Sequence, residues 1–269
     1  MPNLAILLAP AEQKQPGGNP FAPDMFDYRT SGTFNYFEDL NPDRRELIDG
    51  LHDILESHDD DDLGDIFDLG GPELDEAIRV NGEIYDAPLM SALDRYSPGV
   101  MYAAMDFANL PTGAQRRLLE NGIIFSGLFG LLRPDDLIPN YRLAMDTALP
   151  DIGNVADYWR PRISPVLADT LEGRFVWDLL PDIHRGAWKD EQTYDARVLV
   201  EFIDANGEHP EAEELDVQRG QLVNFIVRET AEDVDELLEW EHPDGYEYME
   251  DESSFDEDTK TWSIVLKQS

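Results

Sequence analysis

The chain has no cysteine and only four lysines among its 269 residues. The first absence excludes disulfides, thiolate metal sites and cysteine nucleophiles. The second belongs to a wider shortage of positive charge, with 20 lysines and arginines against 58 acids and a formal net charge of -38. No run approaches the ~18 apolar residues that a membrane helix needs. The opening Met1-Pro-Asn-Leu-Ala-Ile-Leu-Leu-Ala9 lacks a basic region, and its apolar run is too short for a secretion signal. A cytoplasmic protein without a membrane partner is the expectation. The five histidines show no metal-ligand spacing, and the chain contains neither a Ser-His-Asp order nor a Gly-x-x-x-x-Gly-Lys phosphate loop. No metal or cofactor is therefore expected.

What is present is the composition of a folded globule, 42% hydrophobic and 10% aromatic. The acids are spread through almost every segment. A DNA mimic would gather them on one surface, and an acidic tail would place them in one block. The observed spread suits a haloadapted surface, because molar salt shortens the Debye length to about 3 Å and removes the self-repulsion. A halophilic, acidic exterior is the favoured reading over a mimic.

Along the chain, Leu4 to Ala9 reads as a central buried strand, followed by a Pro/Gly-rich loop from Pro10 to Pro23 that carries Lys14. Helical spacing marks Asn41 to Leu55, Glu73 to Val80, Ala87 to Leu93, Val100 to Asp106 and Thr112 to Glu120, with Thr112 as a cap. The run His58 to Asp62 lacks the alternating register of a calcium loop and reads as a solvated turn that ends the first helix. Ile123 to Phe125, Phe175 to Leu180 and Arg197 to Ile203 read as strands. A helix spans about Tyr158 to Leu171. Asn206-Gly207 is a hairpin signal, although Pro210 and its acidic neighbours limit the second strand to a sheet edge. Val217 to Glu229 and Ala231 to Trp240 read as helices, and Tyr246 to Met249 with Thr261 to Leu266 as a closing hairpin. Strands and helices mix without strict alternation, so the fold class is α+β in a single compact mixed domain covering residues 1–269.

The most informative stretch is Phe125-Ser-Gly-Leu-Phe-Gly-Leu-Leu-Arg-Pro-Asp-Asp-Leu-Ile-Pro-Asn-Tyr-Arg-Leu-Ala-Met145. It resembles the signature of the YaaA family of peroxide-stress proteins. Leu7-Leu-Ala-Pro-Ala-Glu-Gln-Lys14 is similar to that family's first loop, with Ala11 in place of the usual serine. Gly82-Glu-Ile-Tyr85, Tyr158-Trp-Arg-Pro161, Gln218-Arg-Gly-Gln-Leu222 and Gly245-Tyr246 resemble further family segments. The resemblance implies a single compact α+β domain of the cantaloupe type, with a basic cleft associated with duplex DNA binding and protection from peroxide damage. Asp216 stands where relatives place a lysine, which reverses a charge in the motif closest to phosphate.

The resemblance and the residues together nominate Lys14, Ser126, Arg133, Tyr141, Arg142, Arg219 and Gly220 as nucleic-acid- or anion-binding residues. Each has a plainer reading. Lys14 is either a surface lysine or an ammonium aimed at a phosphate or carbonyl. Arg133 and Arg142 suit bidentate contact with phosphate or carboxylate, while Asp135 and Asp136 are close enough to hold one of them. Tyr141 either stacks on a base or packs. Arg219-Gly220 at a helix start would offer free N–H groups to an anion. Three functions compete: a stress protein that binds duplex DNA, an enzyme acting on a small anionic nucleotide- or base-like substrate in the same cleft, and an acidic partner of basic proteins.

Overall fold

Five consecutive apolar residues, Leu4 to Leu8, are all buried, so this strand needs a neighbour on each side and cover on both faces. In the computed structural model, which describes residues 3–19 and 36–268, it has them. The far end of the expected loop, 20–23, lies outside the described residues.

The strands are β1 (Leu4–Leu8), β2 (Met90–Ser91), β3 (Gly122–Ser126), β4 (Gly130–Leu132), β5 (Leu137–Ile138) and β6 (Ala148–Leu149), then β7 (Gly153–Asn154), β8 (Phe175–Asp178), β9 (Ala196–Ile203), β10 (Tyr246–Tyr248), β11 (Ser254–Asp256) and β12 (Thr261–Gln268). The main sheet runs β10-β12-β9-β8-β1-β3-β4, with β11 also on β12. The middle strands β12, β9, β8, β1 and β3 are mutually parallel, and the edges β4, β10 and β11 are antiparallel. β2 pairs with β5, and β6 with β7.

The helices are α1 (Asn41–Ser57), α2 (Asp60–Phe67), α3 (Gly71–Gly82), α4 (Ala92–Arg95), α5 (Val100–Met105), α6 (Thr112–Asn121), α7 (Val155–Leu171), α8 (Asp182–Arg185) and α9 (Ala212–Glu229). One apolar core takes in side chains from Leu4 to Leu266, which is why a mixed α and β chain of this length forms a single compact body. α9 packs closely on α5 at Gly220. A Cβ there would lie 2.7 Å from the Ala104 Cβ of α5 and against the Met101 carbonyl.

Several local expectations change. Asp59 does not sit in a turn that merely ends α1: its carboxylate accepts from the N–H groups of Asp61 and Asp62 and caps α2, where acids also complement the helix dipole. The stretch Ala87 to Leu93 holds the short strand β2 and the start of α4, not a longer helix. Thr112 is the first helical residue, preceded by Pro111 at the cap without a side-chain bond. Asn206-Gly207 turns the chain without a return strand, and α9 follows from Ala212. Because β9 already pairs with β8 and β12, neither of its edges is free for a hairpin partner. Ala231 to Trp240 contains a 3-10 segment, Val234–Glu239, in place of an α-helix.

Candidate functional site

Parallel strands leave their carboxyl ends together, and loops from those ends form the usual ligand crevice of such sheets. Register sets Leu8 of β1 beside Ile124 of β3, and Leu7 beside Asp178 of β8. Ser126 closes β3 two residues further on, and the loop that follows β1 brings Lys14 to the same end.

That loop is fixed by a buried arginine. Arg95, at the end of α4, is fully buried. Its guanidinium donates to the carbonyls of Gly17 (3.1 Å), Pro88 (3.0 Å) and Ile138 (3.2 Å), and to that of Gln15. Gln15 N–H returns a 2.7 Å bond to the Arg95 carbonyl. Among the described residues, carbonyl oxygens alone receive this cation. Burial lowers its pKa to about 10.

Lys14 is half-buried, with Nζ 4.4 Å from the Tyr141 ring centre, 5.8 Å from that of Tyr96, and 3.3 Å from the Glu12 carbonyl it donates to. No carboxylate lies within ion-pair distance of it among the described residues. Burial, reinforced by the positive charge of Arg142 and less by Arg95, pulls the ammonium from 10.5 down to about 7; the exposed Glu12 opposes them. Arg142 donates to the same Glu12 carbonyl at 2.9 Å. Its backbone is clamped by buried Asn81, which accepts from Arg142 N–H at 2.8 Å and donates to its carbonyl at 2.7 Å.

Behind the lysine lies a chain of hydroxyls. Tyr141 Oη is 2.7 Å from Tyr96 Oη and 2.8 Å from Ser126 Oγ, and Ser126 Oγ accepts from Phe129 N–H at 3.1 Å. Burial raises Tyr141 to about 12 and Tyr96 well above the ordinary 10, so both stay neutral. Tyr102 donates to the Ala9 carbonyl at 2.7 Å and ties α5 to the end of β1. Gly127 lets this turn approach the Leu143 and Ala144 carbonyls, where a Cβ would collide.

Of the residues nominated from sequence, Lys14, Ser126, Tyr141 and Arg142 therefore meet at one place. Arg219 lies on α9, where Nη1 donates to Asp216 at 3.0 Å. Among the described residues no hydrogen bond or ion pair joins it to Lys14 or Arg142. Gly220 is not at a helix start: α9 begins eight residues earlier at Ala212, so its N–H is inside the helix and its missing side chain serves packing on α5. Arg133 is at the opposite end of the sheet. β4 runs antiparallel to β3, and Arg133 there contacts Asp135 at 3.2 Å, the Leu119 carbonyl at 3.1 Å and the face of Tyr36 at 3.7 Å.

Sequence reasoning missed Arg95, Tyr96 and Asn81. Only Arg95-Tyr96 ahead of Pro98-Gly99 marked the first two, a signal shared with ordinary surface turns. Among the described residues no cluster of three or more His, Asp or Glu could hold a metal. A groove lies elsewhere, between α9 and Trp240, lined with Glu229, Glu236, Glu239 and Glu241; its charge is wrong for an anion. The arrangement around Lys14 presents an ammonium and a guanidinium to a negative group, in front of a buried chain of hydroxyls.

Residues 4–252 match the family described as peroxide stress protein YaaA. The chain is similar to a UPF0246 protein of Streptomyces coelicolor, 34% identical over 123 residues, 46% of this chain and 47% of the relative. A UPF0246 protein of Corynebacterium efficiens is 31% identical over 186 residues, 69% of this chain and 68% of the relative. An uncharacterized protein of Campylobacter jejuni is 27% identical over 180 residues, 65% and 67% of the two chains. The match thus spans about half the length of the Streptomyces relative and about two thirds of the other two.

Proposed function

Because the chain belongs to the YaaA family of peroxide stress proteins, we propose that it acts in the response to peroxide and that its Lys14–Arg142 site binds a small anionic group of the kind a nucleotide carries. One observation supports this reading above the others: Lys14 and Arg142 converge on a single carbonyl, and among the described residues neither has a carboxylate at ion-pair distance, in a chain with a net charge of -38. In so acidic a molecule an unneutralised pair of cations is a local exception, and an anionic ligand is its natural complement. The acidic exterior is that of a halophilic, cytoplasmic protein.

A compact ligand is favoured over a long duplex. Duplex binding draws on a row of cations that neutralises several phosphates, and its affinity falls steeply with salt. Here Arg133 and Arg219 are paired with Asp135 and Asp216, so neither extends the Lys14–Arg142 pair into a track.

The test is calorimetric titration with a nucleoside monophosphate and, separately, a short DNA duplex at several salt concentrations. The monophosphate should bind at one site. Lys14→Met and Arg142→Gln should each weaken it about tenfold or more, since a charged hydrogen bond contributes about 1.5–3 kcal/mol. Tight duplex binding that both variants retain would overturn the assignment, as would wild-type protein that ignores the monophosphate.

A further inference from the structure

We propose that Lys14 is a nucleophilic amine that condenses with the carbonyl carbon of a phosphorylated aldehyde or ketone, while Arg142 holds the phosphate. This inference rests on the anion-binding reading and adds a covalent step to it.

The geometry divides labour between the two cations. A guanidinium stays charged and presents a planar fork suited to phosphate. A lysine amine becomes a nucleophile once it is kept from water and from carboxylates and set beside other cations. Lys14 meets each condition. It is half-buried, lies against the Tyr141 ring at 4.4 Å, has no ion-pair partner among the described residues, and sits near Arg142 and Arg95. With its ammonium titrating at about 7, a large share of the amine is free at neutral pH. Two other lysines show the contrast. Lys267 lies 3.6 Å from Glu252, and Lys260 donates to the carbonyls of Gln192 and Tyr194 at 3.3 and 3.0 Å.

The chemistry balances without a redox partner. The amine lone pair forms a C–N bond as the carbonyl π pair moves to oxygen, which takes up a proton; nitrogen loses one. The carbinolamine then expels that oxygen as water, and an imine remains. The protons exchange with solvent at the half-exposed side of Lys14, while the Tyr96–Tyr141–Ser126 hydroxyls hold the ring beneath it in place.

The experiment treats intact protein at neutral pH with glycolaldehyde phosphate and cyanoborohydride, which reduces an imine to a stable amine, and locates the adduct by intact mass and peptide mapping. Lys14 should be labelled at least tenfold faster than Lys260 or Lys267. Unphosphorylated glycolaldehyde should react more slowly, and inorganic phosphate should protect. Arg142→Gln should abolish the preference for the phosphorylated aldehyde and, because it removes a charge that favours the free amine, slow the reaction with glycolaldehyde as well. Even labelling of all lysines overturns the proposal. Monophosphate binding that depends on Lys14 and Arg142, without a Lys14 adduct, overturns the covalent step alone and leaves the anion site standing. Absence of both removes the two together.

Discussion

The Lys14 ammonium sits 4.4 Å from the centre of the Tyr141 ring, whose hydroxyl is bonded to Tyr96 and Ser126. A cation on an aromatic face is held by the ring quadrupole, yet desolvation at the same spot opposes its charge. Burial, joined by the positive charges of Arg142 and Arg95, lowers the ammonium from 10.5 to about 7.

This sets a pH dependence. Lys14 is charged below pH ~7 in the folded chain and neutral above it, so anion affinity is fully present below that pH and decays as it rises. Sulfate, which does not titrate in this range, should lose affinity by about tenfold per pH unit above 7 in a titration from about pH 6 to 9. The facing groups are Glu12, Arg142, Arg95, Tyr96 and Tyr141, and none of the tyrosines ionises in that window. Lys14→Arg should flatten the profile. Stability runs the opposite way. Between pH ~7 and ~10.5 the unfolded chain holds a proton that the folded chain has released, so this group makes stability rise with pH across that window. A wild-type sulfate profile as flat as that of Lys14→Arg would refute the low titration point.

Tyr141→Phe keeps the ring under Lys14 and removes the hydroxyl between two buried partners. Tyr96 and Ser126 are both fully buried, so water cannot replace the lost bonds without opening the site. The expected cost is about 1–3 kcal/mol, read by urea unfolding. Sulfate affinity should change far less than in Arg142→Gln. A variant as stable as wild type would mean the three hydroxyls do not form a closed chain.

Much of this architecture was legible and some was not, for reasons visible in particular residues. The apolar run Leu4 to Leu8 identifies a buried strand because burial on both faces removes polar alternation, and the half-buried β9 is legible from its valines and isoleucine. Their parallel pairing was hidden, since β1 pairs with strands more than a hundred residues away and β9 with strands on either side of it in sequence that spacing does not single out. Lys14, Tyr141 and Arg142 were readable as chemistry, and their meeting is set by strand register that spacing does not encode. Arg219-Gly220 misled because a glycine beside an arginine is the same pair of letters at a helix start and inside a helix. Only the neighbour, Met101 of α5, tells them apart.

That neighbour supplies the next prediction. Gly220→Ala adds a Cβ where the Ala104 Cβ would be 2.7 Å away and the Met101 carbonyl nearer still. Alanine favours helix over glycine by about 1 kcal/mol, but overpacking against backbone costs about 1–3 kcal/mol. Net destabilisation is expected in chemical unfolding. Gly82→Ala, with open space around it, is the control and should be neutral or slightly stabilised. A stabilised Gly220→Ala would mean that α5 and α9 are not in contact at this point.

The last prediction concerns the exterior. Glu229 to Asp258 holds fifteen acids and no lysine or arginine, and Glu250, Asp251, Glu252, Asp256, Glu257 and Asp258 are all exposed. Like charges at this density repel across distances that a ~10 Å Debye length at 0.1 M salt does not screen, whereas ~3 Å at 1 M does. Folding gathers these charges and unfolding disperses them, so salt should stabilise the native state. From about 0.1 M to about 2 M potassium chloride the melting temperature should rise by about 10 °C, which corresponds to a few kcal/mol for a chain of this size. Chloride is the better choice for the measurement, because sulfate strengthens burial in any protein and would obscure the charge effect. The double substitution Glu250→Gln with Asp251→Asn removes two exposed charges and should make the rise shallower. A melting temperature indifferent to potassium chloride, or one that falls, would leave the acidic surface without a role in haloadaptation.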